Sequence, residues 1–347
     1  MTTAADRRNS AASLATILMA APLVYATFRF VNWAAVHAIW SVPPDAGSSL
    51  CRAARGQGAC WAVVTGRLRF ILLGVYPIDQ QWRPALVCLL FIALYAASAV
   101  RAWWPRLIVV WIAGPVAALV LLRGGLFGLP VVSTDVWGGL PLTFILSTVG
   151  FASAIPFGVA LALGRRSGMP AVRVLSTAYI EIVRGVPLIT FLFMAGVMFP
   201  LFMPDGVAID KLLRTQIILV MVIAAYLAEV IRGGLQAVPA GQYEAAISMG
   251  LSFWPATILV VLPQALRATI PALVNTFIAF FKDTSLVAVI GLFDLLGAAK
   301  TVIVDPKWSG FGVEVYLFAA LVYFAFCFAV SRYSLRLERT LAARHQH

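Results

Sequence analysis

"QYEAAISMGLSFWPATILVVLPQA", residues Gln242 to Ala265, is the stretch on which the reading of the whole chain turns. It opens as a small, alanine-rich polar helix, stops at Gly250 and then runs apolar into Pro263. Pro239 and Gly241 punctuate a helix start, and Gly250 supplies the positive φ that ends a helix cheaply. About three turns from Gln242 to Met249 are too few to stand alone, so a docking partner is expected to hold this helix. Glu244 with Ala245 and Ala246 gives it a slim face that suits a groove, and Leu259 to Pro263 returns the chain to apolar surroundings.

Composition identifies those surroundings as lipid. Of 347 residues, 62% are hydrophobic and 12% charged, with a mean hydropathy of +0.93, far outside the usage of water-soluble domains. A window of about 20 residues marks eight spans: Ala11 to Val31, Pro84 to Val100, Leu107 to Leu122, Gly138 to Leu163, Val174 to Phe202, Thr215 to Ile231, Ile270 to Leu292 and Val313 to Val330. The first is too long for a removable signal peptide and is read as a retained helix. The expected fold class is an all-α polytopic membrane protein with about eight transmembrane helices.

Arg7 and Arg8 orient the N-terminus toward the cytoplasm, and eight crossings return the C-terminus there. From the fourth span onward, Arg165, Arg166, Arg173, Arg184, Arg232, Arg267, Arg332, Arg336, Arg339 and Arg344 fall inside, against Lys211, Arg214, Lys300 and Lys307 outside. The segment Ser41 to Arg83 fits this rule badly, because it puts Arg52, Arg55, Arg67, Arg69 and Arg83 outside. The net charge of +12 is mostly a topology signal, and its basic residues bracket spans without forming a nucleic-acid-binding stripe.

Cys88 and Cys327 fall inside spans and pack as apolar residues. Cys51 and Cys60 lie in the outer segment, where an oxidising compartment would allow them to join. His37, His345 and His347 form no metal-binding cluster. No Ser-His-Asp, HExxH or Cys-His set suggests catalysis. The lysines at 211, 282, 300 and 307 follow Asp, Phe, Ala and Pro, so the chain carries no P-loop.

The chain divides near Asp135, and the polar residues within spans concentrate after it. "AYIEIVRGVP" (Ala178 to Pro187) and "AYLAEVIRGG" (Ala225 to Gly234) each carry Glu-x-x-Arg-Gly near the expected cytoplasmic membrane edge. The spacing lets Glu181 meet Arg184 and Glu229 meet Arg232 on one helix face, as structural ion pairs or as an inner gate or partner surface. In "FFKDTSLVAVIG" (Phe280 to Gly291), Lys282 and Asp283 fall about 15 residues into a span, roughly 20 Å along it and near mid-membrane. They suit a structural contact or, with Asn275, Thr284 and Ser285, a site for a zwitterion.

The residues Glu244, Ala245, Ala246, Gly250, Val260, Val261, Leu262 and Pro263 together resemble the EAA loop of ABC importer permeases, with Val260 where that pattern has Ile. The continuation "PQALRATIPALVNTFIAFFKDTSLVAVIG", with "EIVRGVPL" upstream, resembles the polar amino-acid uptake family (HisM-type). The N-terminal "GVYPIDQQWRP" (Gly74 to Pro84) resembles the long permease of general L-amino-acid systems of the Aap/Bzt type.

The resemblance implies a five-helix type I ABC importer core over about residues 136–337, with the EAA coupling loop at about 239–263. Residues 1–135 form an extension with three helices and a periplasmic segment at about 41–83, and 338–347 a cytoplasmic tail. It implies an inner-membrane subunit that binds no cofactor, while ATP and Mg are used by a partner ATPase dimer docked on Glu244, Ala245, Ala246, Gly250 and Pro263. The other implied partners are a second permease in a heterodimer, a periplasmic amino-acid-binding protein, an L-amino acid and membrane lipid. An ion-coupled secondary amino-acid transporter is the alternative; it requires internal repeats, and the two Glu-x-x-Arg stretches are too brief to establish one.

Overall fold

The computed structural model describes the backbone of residues 4–43, 48–204, 206 and 209–343, with the side chains of 4–15, 17 and 340–343 outside that description. The side chains of Arg7 and Arg8, and all of Arg344, His345 and His347, therefore lie outside the described residues. The α-helices are α1 (Ala4–Val31), α2 (Ser49–Ala53), α3 (Ala62–Leu73), α4 (Trp82–Ala99), α5 (Leu107–Arg123), α6 (Gly139–Arg165), α7 (Pro170–Gly185), α8 (Leu188–Phe193) and α9 (Phe199–Leu201). There follow α10 (Lys211–Ala237), α11 (Ala240–Ser248), α12 (Phe253–Pro255), α13 (Leu262–Asp283), α14 (Leu295–Ile303) and α15 (Gly312–Ala343).

Among the described residues six helices are long and apolar enough to cross a membrane: Ile78–Ala99, Arg101–Arg123, Gly139–Arg165, Lys211–Ala237, Phe253–Ile290 and Gly312–Arg339. A seventh arises if the bent pair Pro170–Gly185 and Leu188–Leu201 counts as one. The remaining expected span, Ala11 to Val31, coincides with the helical α1, part of whose side chains lie outside the description.

Two expected spans are corrected. Val174 to Phe202 is not one helix but two meeting at 96°. Pro187 lacks the N–H that would continue the ladder and holds Val186 extended at φ −101°, ψ 133°. The expected span from Ile270 to Leu292 is mostly part of a longer helical stretch, Phe253–Ile290, so the chain returns to helix earlier than Leu259.

The chain forms two compact units, Met1–Leu68 with Lys300–Phe318, and Arg69–Ala299 with Ala319–His347. In the larger unit α10 packs along α6 and α13, and α4 packs on α6. Phe91 and Tyr95 of α4, Phe144 of α6, Phe277 and Phe281 of α13 and Phe326 of α15 form one aromatic cluster, with centroids 5.4 Å apart for Phe91 and Phe144 and 4.2 Å for Phe281 and Phe326. The Tyr95 hydroxyl shares a hydrogen bond of 2.7 Å with Thr148 Oγ1, and Tyr333 donates to the Ser98 carbonyl at 2.8 Å. In lipid, where apolar surface alone does not drive helices together, close packing and interhelical hydrogen bonds of this kind hold a bundle.

The motif at Gly74 to Pro84 closes one end of α5. Arg83, fully buried, donates to the carbonyls of Leu121 at 2.6 Å, Pro130 at 3.0 Å and Leu122 at 3.3 Å, and Tyr76 adds a hydrogen bond of 2.7 Å to Leu122. A cation on the orphan carbonyls of a helix C-terminus satisfies both their hydrogen bonding and the helix dipole. Arg83 is therefore not the free outer charge that the topology count assumed.

In the smaller unit Cys51 and Cys60 are joined by a disulfide, whereas Cys88 and Cys327, both in the larger unit, are free. The Cys60 amide donates to Glu314 Oε1 at 2.9 Å, Arg52 donates to the Pro306 carbonyl at 3.2 Å, and Arg67 pairs with Asp305. Trp61 donates to Ala34 at 2.7 Å and stacks on Trp40 with centroids 5.9 Å apart.

Candidate functional site

The loop after α10 follows from its proline and glycine. Val238 is extended ahead of Pro239, which ends α10 and, at φ −57° and ψ 138°, immediately precedes α11. At the other end Gly250 sits at φ +86°, its amide donating to Ile247 at 2.9 Å, while Leu251 donates to Ala246 at 3.2 Å. This pair of bonds is a Schellman motif, and the left-handed residue within it favours glycine. An added Cβ at Gly250 would meet nothing within 4 Å, so the backbone conformation alone demands glycine.

One side of α11 is anchored. Ala246 is buried, Tyr243 is half-buried with its ring 6.2 Å from that of Phe253, and the helix packs on the π-helical turn Ala256–Val261. The other side is open: Glu244, Ala245, Ile247 and Ser248 are exposed, and Met249 is 84% exposed. Pro263 is exposed on the first turn of α13. A cavity of about 980 Å³ lies beside α11, lined in part by Arg166, Val238, Tyr243, Glu244 and Trp254.

The acidic and basic residues of the two Glu-x-x-Arg stretches form one network across three helices. Glu229 is its centre, meeting Arg165 at 2.6 Å, Arg232 at 2.9 Å and Arg184 at 3.6 Å. Glu181 pairs with Arg165 at 2.9 Å, so the expected Glu181–Arg184 pair is replaced by contacts between helices, and only Glu229–Arg232 forms within its own stretch. The guanidinium of Arg184 also lies 5.6 Å from the centre of the Tyr226 ring. Arg165, in the last turn of α6, was counted in the sequence only as a topology charge.

Lys282 and Asp283 end α13, where the chain changes to a 3₁₀ turn over Thr284–Ile290 that closes on Gly291. Because the helix starts well before Ile270, a depth counted from Ile270 does not carry over. Lys282, Asp283 and Asn275 are exposed, Ser285 is half-buried, and Thr284 is buried with its hydroxyl bonded to the Phe281 carbonyl at 2.9 Å. Among the described residues neither Lys282 nor Asp283 forms an ion pair within 4.0 Å. Ala268, Ala272, Asn275, Ala279 and Lys282 recur at helical spacing along one exposed stripe of α13, opposite the buried Phe277, Phe280 and Phe281.

Over residues 154–342 the chain matches the family described as the binding-protein-dependent transport system inner membrane component. The chain belongs to that family. An inner membrane amino-acid ABC transporter permease protein of Escherichia coli (strain K12), YhdY, is 49% identical over 316 residues, covering 89% of this chain and 83% of its own. The glutamate/glutamine/aspartate/asparagine transport system permease protein BztC of Rhodobacter capsulatus is 39% identical, covering 83% of this chain and 80% of its own. Among solved structures, an amino acid ABC transporter crystallised with histidines is 32% identical and superposes with a TM-score of 0.52, covering 58% of this chain and 92% of that one. The protein is thus a multi-pass inner-membrane transport component with the permease fold of ABC importers, and the ion-coupled alternative is set aside.

In this transport component the sequence reading missed Asp294, which is fully buried. Its Oδ1 accepts the Gly297 amide at 2.9 Å, capping α14, and its Oδ2 accepts the Tyr323 hydroxyl at 2.8 Å. Next to it the Leu295 amide donates to Thr143 Oγ1 at 3.1 Å, so α6, α14 and α15 meet at this carboxylate. The signal was present as an Asp directly before the apolar run "LLGAA", the pattern of an N-cap.

Proposed function

We propose that this chain is the permease subunit of an ATP-driven ABC importer and passes L-amino acids across the membrane by alternating access. The observation that carries the reading is α11: anchored through Ala246, ended by a left-handed Gly250, and otherwise presented outward through Glu244, Ala245 and Met249. A nine-residue helix held only from one side is a docking element, and its occupant here is a separate ATPase subunit that binds ATP and Mg. Closure of an ATPase pair pulls α11, the movement passes into α13 through Ala256–Val261, and the path between two permeases changes its opening.

The substrate path runs along the exposed stripe of α13 and its 3₁₀ end. A lipid-facing helix carries bulky apolar side chains, whereas this stripe carries alanines, Asn275 and Lys282, the composition of a helix contact or a polar path. Lys282 and Asp283, at the end of the regular helix, supply opposite charges for the carboxylate and ammonium of an amino acid. The network around Glu229 is the inner gate, since it ties α7 and α10 to the end of α6 with ion pairs that a conformational change can exchange.

Topology parity supports seven spans from α4 onward. Arg67 meets Asp305, and Cys60 meets Glu314, so both stretches stand on one side of the membrane. An even number of crossings separates them, which requires the bent pair α7–α8 to cross once between the other five spans. With α1 crossing as well, both termini are cytoplasmic. In this arrangement residues 136–337 are the transport core, residues 1–135 an addition to it, and a second permease completes a heterodimer.

The test is transport by the purified complex in proteoliposomes with its ATPase, partner permease and binding protein. L-amino acids should stimulate ATP hydrolysis and accumulate inside. Lys282→Met should keep assembly and basal hydrolysis but lose uptake or change its preference among acidic, neutral and basic amino acids. Uptake with unaltered selectivity in that variant removes Lys282 from the path.

A further inference from the structure

The smaller compact unit joins Met1–Leu68 to the stretch Lys300–Phe318, and in the part beyond α1 the charge is one-sided. Among its described residues from Trp33 onward, Arg52, Arg55, Arg67, Lys300 and Lys307 stand against Asp305 and Glu314. Both acids already have partners. Asp305 pairs with Arg67 and accepts the Lys307 amide at 2.9 Å, and the buried Glu314 accepts the Cys60 amide. Among the described residues the positive surplus is therefore not neutralised within the unit, and Lys300 and Lys307 are exposed.

Insertion disfavours such a surplus on the outer side of a membrane, which is where the proposed topology puts this unit. The Cys51–Cys60 disulfide agrees with that side, because disulfides persist in oxidising compartments. The bridge, the stacked Trp40 and Trp61 and the Arg67–Asp305 pair hold the cations on a braced surface. Exposed apolar groups, Val304 at 76% and Trp40 at 57%, stand among them, the mixture found at protein interfaces.

We infer that this unit is the docking face for an acidic surface of the binding protein that delivers the substrate, with Lys300 and Lys307 as its principal contacts. The inference rests on the importer reading above and assigns a role to the part of the chain that lies outside the transport path. The family's dependence on a binding protein supplies the occupant, and the unneutralised charge supplies its chemistry. Pre-formed cations on a cross-linked surface steer an acidic partner and lose little freedom when it docks.

The experiment uses the complete transporter in vesicles of zwitterionic lipid, titrated with its own binding protein loaded from an equimolar mixture of L-amino acids. In the Lys300→Glu/Lys307→Glu variant the half-saturating concentration for stimulated ATP hydrolysis should rise roughly tenfold or more, with the plateau rate kept. For the unaltered transporter that concentration should rise with salt, and a Lys300→Arg/Lys307→Arg variant should match it. Lys307→Gln alone, a milder change that keeps the unit intact, should raise the concentration about threefold.

Equal half-saturation in the reversed-charge and unaltered transporters overturns the proposal. So does an effect of the reversed charges that is absent in zwitterionic vesicles and appears only in a parallel series containing anionic lipid, which would make the face a lipid contact. Failure of the binding protein to stimulate the unaltered transporter is a different result: it defeats the importer reading, and this inference with it.

Discussion

The motif at Gly74 to Pro84 and the loop at Pro239 to Pro263 are the two most specific stretches of this chain, and they direct their polar groups in opposite ways. Tyr76 and Arg83 turn inward and satisfy the carbonyls of Leu121, Leu122 and Pro130 at the end of α5. In the loop the backbone satisfies itself through the Gly250 turn, and Glu244 is left exposed beside Ala245 and Met249. A motif whose polar groups find partners at home builds the fold, whereas one that presents them outward waits for another molecule. Substitutions in the first should therefore cost stability, and those in the second should cost coupling while the fold survives.

Arg83→Met gives the largest expected loss of stability. It removes a fully buried donor from three carbonyls, a cost of about 3 to 5 kcal/mol, read as a lower thermal midpoint in detergent and a lower yield of folded protein. An unchanged midpoint would show that the α5 end needs no such cap. Glu229→Gln comes next and belongs to neither motif. It keeps the shape of Glu229 but leaves Arg165, Arg184 and Arg232 without their shared anion, for about 1 to 3 kcal/mol after allowance for partial exposure. Uptake that leaks without ATP in this variant would mark the network as a gate, and a simple loss of stability would mark it as structural.

Gly250→Val forces a β-branched residue to φ +86° for about 1 to 2 kcal/mol, confined to one turn. The protein should still insert, and the ATPase subunit should no longer copurify with it. Full retention of that subunit would move the docking element elsewhere.

Legibility in the sequence followed the same division. The span pattern, the short helix before Gly250 and the cysteine pair were readable because each depends on local composition or on backbone conformation. The 96° break at Val186 was written in Gly185 and Pro187, but membrane helices tolerate both residues and the apolar pattern runs on across them. Arg165 went unassigned for another reason: its partners Glu181 and Glu229 lie on other helices, and no spacing rule reaches that far; the cap at Asp294 was written locally, but its bond to Tyr323 was not. Arg83 looked like a surface charge because only the fold brings the end of α5 to it.

The central claim is that α11 is where another subunit grips this chain, and Glu244→Lys tests it most directly. Glu244 is exposed, so its reversal should change stability by no more than about 0.5 kcal/mol. Measured as ATP-driven L-amino-acid uptake by the reconstituted complex, the variant should insert, fold and bind its partner permease, yet transport little or nothing. Uptake at the unaltered rate would contradict the account, because α11 would then be an exposed helix on which no coupling depends.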